Sequence, residues 1–147
     1  MNKNCRKGIY EVKNKDKYLG DKNPRYLSSY EHRFFKYCDM HKDILKWSSE
    51  NIIVKYWNPV KERYARYMVD VYVEYKDKNG DIHKELIEIK PKAQTQPPKK
   101  GNKKESTILM ENATWAQNLA KWEAAKKYAE ERGWKCRLLT EEGLFKQ

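Results

Sequence analysis

Two alternating apolar and polar runs joined by Asn79-Gly80, spanning Arg66 to Lys90, constrain this chain more tightly than any other stretch. From Arg66 to Tyr75 the alternation places Val69, Val71 and Val73 on one face and Asp70, Tyr72 and Glu74 on the other, as expected of a half-buried strand. Lys78-Asn79-Gly80-Asp81 predicts a tight reversing turn, because Asn-Gly tolerates positive φ. His83 to Lys90 reads as the returning strand, closed by Pro91. A hairpin with one apolar face needs a covering layer, so the flanking segments decide the fold class.

Upstream, Ser28 and Glu31 have capping-box spacing, and Phe34, Phe35 and Cys38 recur at helical intervals, which predicts a helix over Ser29 to Met40. Asn51 to Trp57 is rich in β-branched and aromatic residues and stops at Asn58-Pro59, a strand signature. Downstream, Trp115, Leu119, Trp122, Ala125 and Ala129 predict a helix from Ala113 to Arg132, with Gly133 as its cap. Lys135 to Thr140 reads as a last strand and Glu141 to Phe145 as a short helical turn. The order α-β-β-β-α-β predicts an α/β fold, a mixed sheet flanked by helices, over residues 28–147. Residues 1–27, with eight basic and three acidic side chains, read as a mostly irregular basic arm. Residues 91–112 read as a mobile basic loop, since Lys90 to Lys104 holds six lysines, Pro97-Pro98 and no acid.

Lys and Arg outnumber Asp and Glu by 32 to 21, a formal charge of +11 that favours a polyanionic partner, nucleic acid first. Aromatics at 13% argue against disorder despite a hydrophobic content of 39%. Cys5, Cys38 and Cys136 form neither a disulfide framework nor a zinc ribbon, and Cys38 with His41 lacks a second ligand pair. No apolar run reaches membrane-span length and the start leads into no signal core, so a soluble protein kept inside the cell is expected. Gly-rich phosphate cradles are absent, which sets aside an ATPase.

The chemistry centres on Glu88-Ile89-Lys90 and Asp70. Residues i and i+2 of a strand share a side, so Glu88 and Lys90 face one way while Ile87 and Ile89 pack the other. Asp70 meets Glu88 across an antiparallel pair only with suitable register or a bend. Such carboxylates, with the Ile89 carbonyl, suit a hard cation such as Mg²⁺. Hydrolysis of a phosphodiester follows, the ion activating water and Lys90 positioning it and stabilising the transition state. Glu31 could join this set or simply cap its own helix. Glu88 and Lys90 alone could equally be a cross-strand salt bridge, and Asp70 an edge-strand polar residue.

Glu31 on an opening helix, Tyr64-Ala-Arg66-Tyr67-Met-Val-Asp70 and Leu86-Ile-Glu88-Ile-Lys90-Pro91-Lys92 together resemble the TnsA-like and Holliday-resolvase-like branch of PD-(D/E)xK nucleases. Glu88 to Pro98, Thr114 to Trp122 and Arg137 to Leu144 are similar to the head completion nucleases of T-even-type tailed bacteriophages. The resemblance implies a restriction-endonuclease-like core with Glu31, Asp70, Glu88 and Lys90 as its catalytic positions. It also implies Mg²⁺ as cofactor, with Mn²⁺ able to substitute, held by Asp70, Glu88, Ile89 and Glu31. DNA contacts are then expected from Arg66, Lys92, Gln94, Gln96, Lys99, Lys100, Asn118 and Lys121. The implied partners are DNA and phage capsid, portal or neck proteins, in the cytoplasm of an infected cell or on the virion. No Pro precedes Asp70, where Val69 stands, a departure common in these nucleases. Two alternatives stay open: a catalytically silent DNA-binding protein at the portal vertex, and a subunit of a transposition or restriction nuclease.

Overall fold

The computed structural model describes residues 7–145, so Cys5 and the first six residues of the expected arm lie outside the described residues. In chain order the elements are β1 (Gly8–Ile9), β2 (Arg25–Tyr26), α1 (Ser29–Met40), β3 (Ile44–Ser49), β4 (Ile53–Asn58), β5 (Arg63–Met68), β6 (Val71–Lys76), β7 (Ile82–Ile89), α2 (Glu105–Glu131), β8 (Lys135–Leu139) and α3 (Glu141–Phe145). A four-stranded sheet runs β3-β6-β7-β8, antiparallel except for the β7–β8 pair, which α2 joins as a parallel crossover. One face packs Val71, Val73, Ile87 and Ile89 against Phe34, Phe35 and Cys38 of α1. The other packs Tyr72 and Leu86 against Ala125 and Ala129 of α2 and against Val54, Tyr56 and Tyr67 of the β4–β5 hairpin. The mixed sheet between helices is the α/β architecture expected.

Four expectations need correction. The alternating run from Arg66 to Tyr75 is two strands, β5 and β6, belonging to different sheets. Val69 therefore packs in the α2 core, while Val71 and Val73 pack in the α1 core. Strand β3 lies in a stretch that had no assignment, and Trp47 within it is fully buried. The loop read as 91–112 is shorter: Lys92–Thr95 forms a 3₁₀ turn and α2 begins at Glu105, two turns before Ala113. No residue between Lys104 and Ala113 is Pro or Gly, so nothing opposes extending the helix backward. Within α2, Leu119 is exposed and Trp115 and Trp122 are only half-buried, so the core contribution comes from the alanines.

The arm is also not free over residues 7–27. Tyr10 and Val12 join the α1 core, and the segment is fastened to the end of α1 by Asp39. The Asp39 carboxylate accepts from the Tyr10 hydroxyl at 2.6 Å, from Lys13 N at 2.8 Å and from Asn14 N at 3.0 Å. Its backbone carbonyl accepts from Asn14 Nδ2 and Lys17 Nζ. Burial would raise the Asp39 pKa, but the hydrogen bonds from Tyr10, Lys13 and Asn14 and the nearby Lys17 ammonium outweigh it and hold the carboxyl below its ordinary value.

Strands β3–β4 and β5–β6 form one long two-stranded ribbon with a kink in the middle. Ser49 pairs Val71 and Ile53 pairs Met68, so four steps on one strand are matched by three on the other. The extra residue is accommodated where Glu50 takes φ of 52°, the geometry of a β-bulge. Glu50 N donates to Asp70 O and Val69 N to Ile52 O, tying the two strands through the kink.

The start of α1 follows the expected cap. Ser28 Oγ accepts from Glu31 N at 3.2 Å. Ser28→Ala is expected to lower stability by about 1 kcal/mol in chemical denaturation, through loss of that acceptor for a first-turn N–H.

Candidate active site

The kink decides where Asp70 stands. β6 pairs Val71 with Ile87, so the residue just before it comes alongside Glu88. Asp70 Oδ2 accepts from Ile89 N at 2.9 Å. Glu88 Oε1 lies 3.6 Å from Lys90 Nζ. Lys90 is steadied from the far side, where its backbone N–H donates to Leu139 O of β8. Asp70, Glu88 and Lys90 thus gather at one end of the central sheet, joined by the bend the sequence could not supply.

Glu31, in the first turn of α1, lies within electrostatic reach of Glu88 and Lys90. Burial pushes its pKa up, a backbone hydrogen bond from Leu27 opposes this, and Glu50 and Glu88 add to the rise while Lys90 offsets it. The two readings of Glu31 are therefore compatible, since one carboxylate binds a backbone group ahead of its helix and also feels Glu88 and Lys90. Asp70 is held well above the ordinary carboxylate range, first by burial, then by Glu88, with Glu31 adding to it. Acids that raise one another's proton affinity in this way form a site short of positive charge.

Sequence reasoning overlooked two groups. The Tyr67 hydroxyl donates to Glu88 Oε2, with Tyr67 buried, and so fixes one oxygen of that carboxylate. Glu50, at the bulge, acts on Glu31 electrostatically. Neither has a local signature: Tyr67 is positioned by a strand that the alternating pattern merges with the next, and Glu50 by a bulge between β3 and β4.

Of the residues expected to meet DNA, Lys121 faces the aromatic pair behind Glu88, with Nζ 5.8 Å from the ring centre of Tyr67 and 5.9 Å from that of Tyr56. Gln94, Gln96, Lys99 and Asn118 line a cavity of about 750 Å³ between the basic loop and α2. A smaller cleft of about 140 Å³, bounded by Tyr67, Val69, Trp122 and Lys126, opens at Glu88 itself. Lys100 is exposed on the loop and Arg66 on the outer face of β5. Lys92 N–H donates to Glu141 and Lys92 Nζ to Glu142, pinning the loop's start to α3 while leaving the side chain exposed. Ile89 meets the site through its N–H, which Asp70 occupies.

Among the described residues, no three His, Cys, Asp or Glu side chains converge into a ready cage for an ion, and His41 accepts from Asp43 N beside a buried Cys38. Nor, among those residues, is any helix long and apolar enough to cross a membrane.

Residues 41–141 match the family model described as TnsA-like endonuclease N terminal. The chain is 39% identical over 142 residues to the head completion nuclease of Enterobacteria phage T4, covering 93% of this chain and 92% of that protein.

Proposed function

This chain belongs to the TnsA-like endonuclease family, and from that premise we propose that it is a magnesium-dependent DNA endonuclease whose active centre is Glu31, Asp70, Glu88 and Lys90. The observation that carries the reading is the kink that sets Asp70 beside Glu88 and Lys90, three groups drawn from two neighbouring strands.

The donor set suits a hard divalent cation. Magnesium commonly takes one or two carboxylates and completes its shell with water, so two acids suffice where three do not converge. Asp70 and Glu88 would hold it, with Glu31 in reach; burial first, and repulsion from Glu88 after it, raise the Asp70 pKa, and a cation would offset both. Bound there, the ion would supply Lewis acidity and neutralise charge on the scissile phosphate. Tyr67 keeps the Glu88 carboxylate in one orientation, and the Ile89 N–H does the same for Asp70. Lys90 presents a fixed positive group beside them, suited to orienting the attacking water and to stabilising the extra charge of the pentavalent phosphate.

The named relative is a head completion nuclease of a phage, and the chain is assigned to phage head completion on that likeness; processing of packaged DNA before tail attachment, in the cytoplasm of the infected cell and with portal or neck proteins as partners, belongs to the proposal. The surplus of cations, +11 overall, supports engagement of DNA rather than of a neutral substrate.

Incubation with linear, branched and single-stranded DNA tests the activity. Cleavage is expected with Mg²⁺ or Mn²⁺ and none with EDTA; absence of metal-dependent cleavage of every form would remove the proposal.

A further inference from the structure

The β4–β5 half of the ribbon buries only one side. Val54, Tyr56 and Tyr67 pack toward α2, while the opposite side presents three cross-strand pairs to solvent: Ile53 with Met68, Lys55 with Arg66, and Trp57 with Tyr64. Trp57 is 49% exposed and Tyr64 62% exposed, although both are large aromatics that a sheet normally covers. Their rings meet edge to face with centroids 5.0 Å apart, and Lys55 Nζ sits 4.5 Å from the Tyr64 ring centre. The two strands carry Lys55, Arg63 and Arg66 and no acid. Among the described residues, neither Lys55 nor Arg66 has a carboxylate within salt-bridge distance.

The outward positions of β5 recur at every second residue, Tyr64, Arg66 and Met68, and the strand ends two residues before Asp70, which stands in the bend between β5 and β6. At no more than about 3.4 Å per residue, Arg66 lies within roughly 14 Å and Tyr64 within roughly 20 Å of the catalytic acid along the chain. A phosphodiester chain leaving the active centre along this row passes the Ile53–Met68 pair, then meets the cation pair Lys55–Arg66 and after it the aromatic pair Trp57–Tyr64.

We propose that the outer face of β4–β5 is a binding platform for an unpaired DNA segment adjoining the cut site, with Lys55 and Arg66 on its phosphates and Trp57 and Tyr64 stacking its bases. The proposal rests on the endonuclease reading and specifies its substrate class. Duplex DNA hides its base faces in the stack, whereas a single strand exposes them to aromatic side chains. The cation-rich, acid-free composition and continuity with Asp70 favour DNA over a protein occupant.

Binding is measured in EDTA, so that it does not depend on cleavage, using a duplex with a single-stranded tail and a blunt duplex of equal length. The unmodified protein is expected to prefer the tailed DNA. Trp57→Ala/Tyr64→Ala should weaken tailed binding about tenfold or more and leave blunt binding within about twofold, and Trp57→Phe/Tyr64→Phe should restore most of it. Without any substitution, photo-crosslinking from 5-bromouracil in the tail should map to Trp57 or Tyr64. Absence of a tail preference, equal loss on both DNAs, or a change in sedimentation without a change in DNA binding overturns the platform; the last would assign the face to a second copy. Metal-dependent cleavage without tail preference leaves the nuclease standing and the platform fallen, and tail preference without cleavage does the reverse.

Discussion

Lys90→Ala is expected to reduce DNA cleavage on the order of a thousandfold while the protein stays folded, measured as initial rates at saturating magnesium beside thermal melting. Lys90 is half-exposed, so truncating it removes little packing, and its backbone bond to Leu139 survives the change. What disappears is the ammonium group that stands 3.6 Å from Glu88 Oε1. Asp70→Asn separates chemistry from stability in a second way. Asn keeps an oxygen for the Ile89 N–H yet removes a carboxylate that burial, Glu88 and Glu31 disfavour. The variant should therefore be inactive and, without divalent ions, at least as stable as the unmodified protein. An active Asp70→Asn would eliminate Asp70 as the ion's ligand.

The largest effect on stability is expected from Asp39→Ala, a residue far from the chemistry. It strands the Tyr10 hydroxyl and two backbone N–H groups that one buried carboxylate satisfies, and the loss should be about 3 kcal/mol in denaturant unfolding. The pH dependence has a definite sign. Asp39 has a folded pKa below its ordinary 3.8, so its contribution is complete above that value and is lost as the pH falls through the folded pKa. Acid unfolding of Asp39→Asn should accordingly be less steep than that of the unmodified chain below pH 3.8. An unchanged acid profile would show that Asp39 does not clamp the amino-terminal segment.

Helix α1 and the β6–β7 hairpin were legible because their signals are local: a Ser cap, a helical apolar stripe and Asn79-Gly80, where Gly80 takes φ of 85°. Glu88 and Lys90 were legible for the same reason, since strand alternation alone puts them on one side. The kink was not legible. Val69, Val71 and Val73 keep an unbroken alternation although the first packs in one core and the others in the second, and neither Gly nor Pro marks the change. The bulge responsible lies on the partner strand at Glu50, twenty positions earlier in the chain. The amino-terminal arm was misjudged because its anchoring depends on one carboxylate at the far end of α1, a contact that composition cannot register. The onset of α2 was placed late because the apolar stripe used to find it begins only at Trp115, whereas Glu105 to Asn112 is helical without burying a face.

The kinked ribbon has the properties of an interchangeable tool mounted on a fixed handle. Its inner half is locked into the sheet by Val71–Ile87 pairing, which sets Asp70, while its outer half ends in a free turn over residues 59–62. Residues added or removed in matched pairs at that tip change the reach by about 3.4 Å per pair and leave the register at the acid untouched. Related enzymes could thereby acquire a longer or shorter reach without rebuilding the centre that cuts.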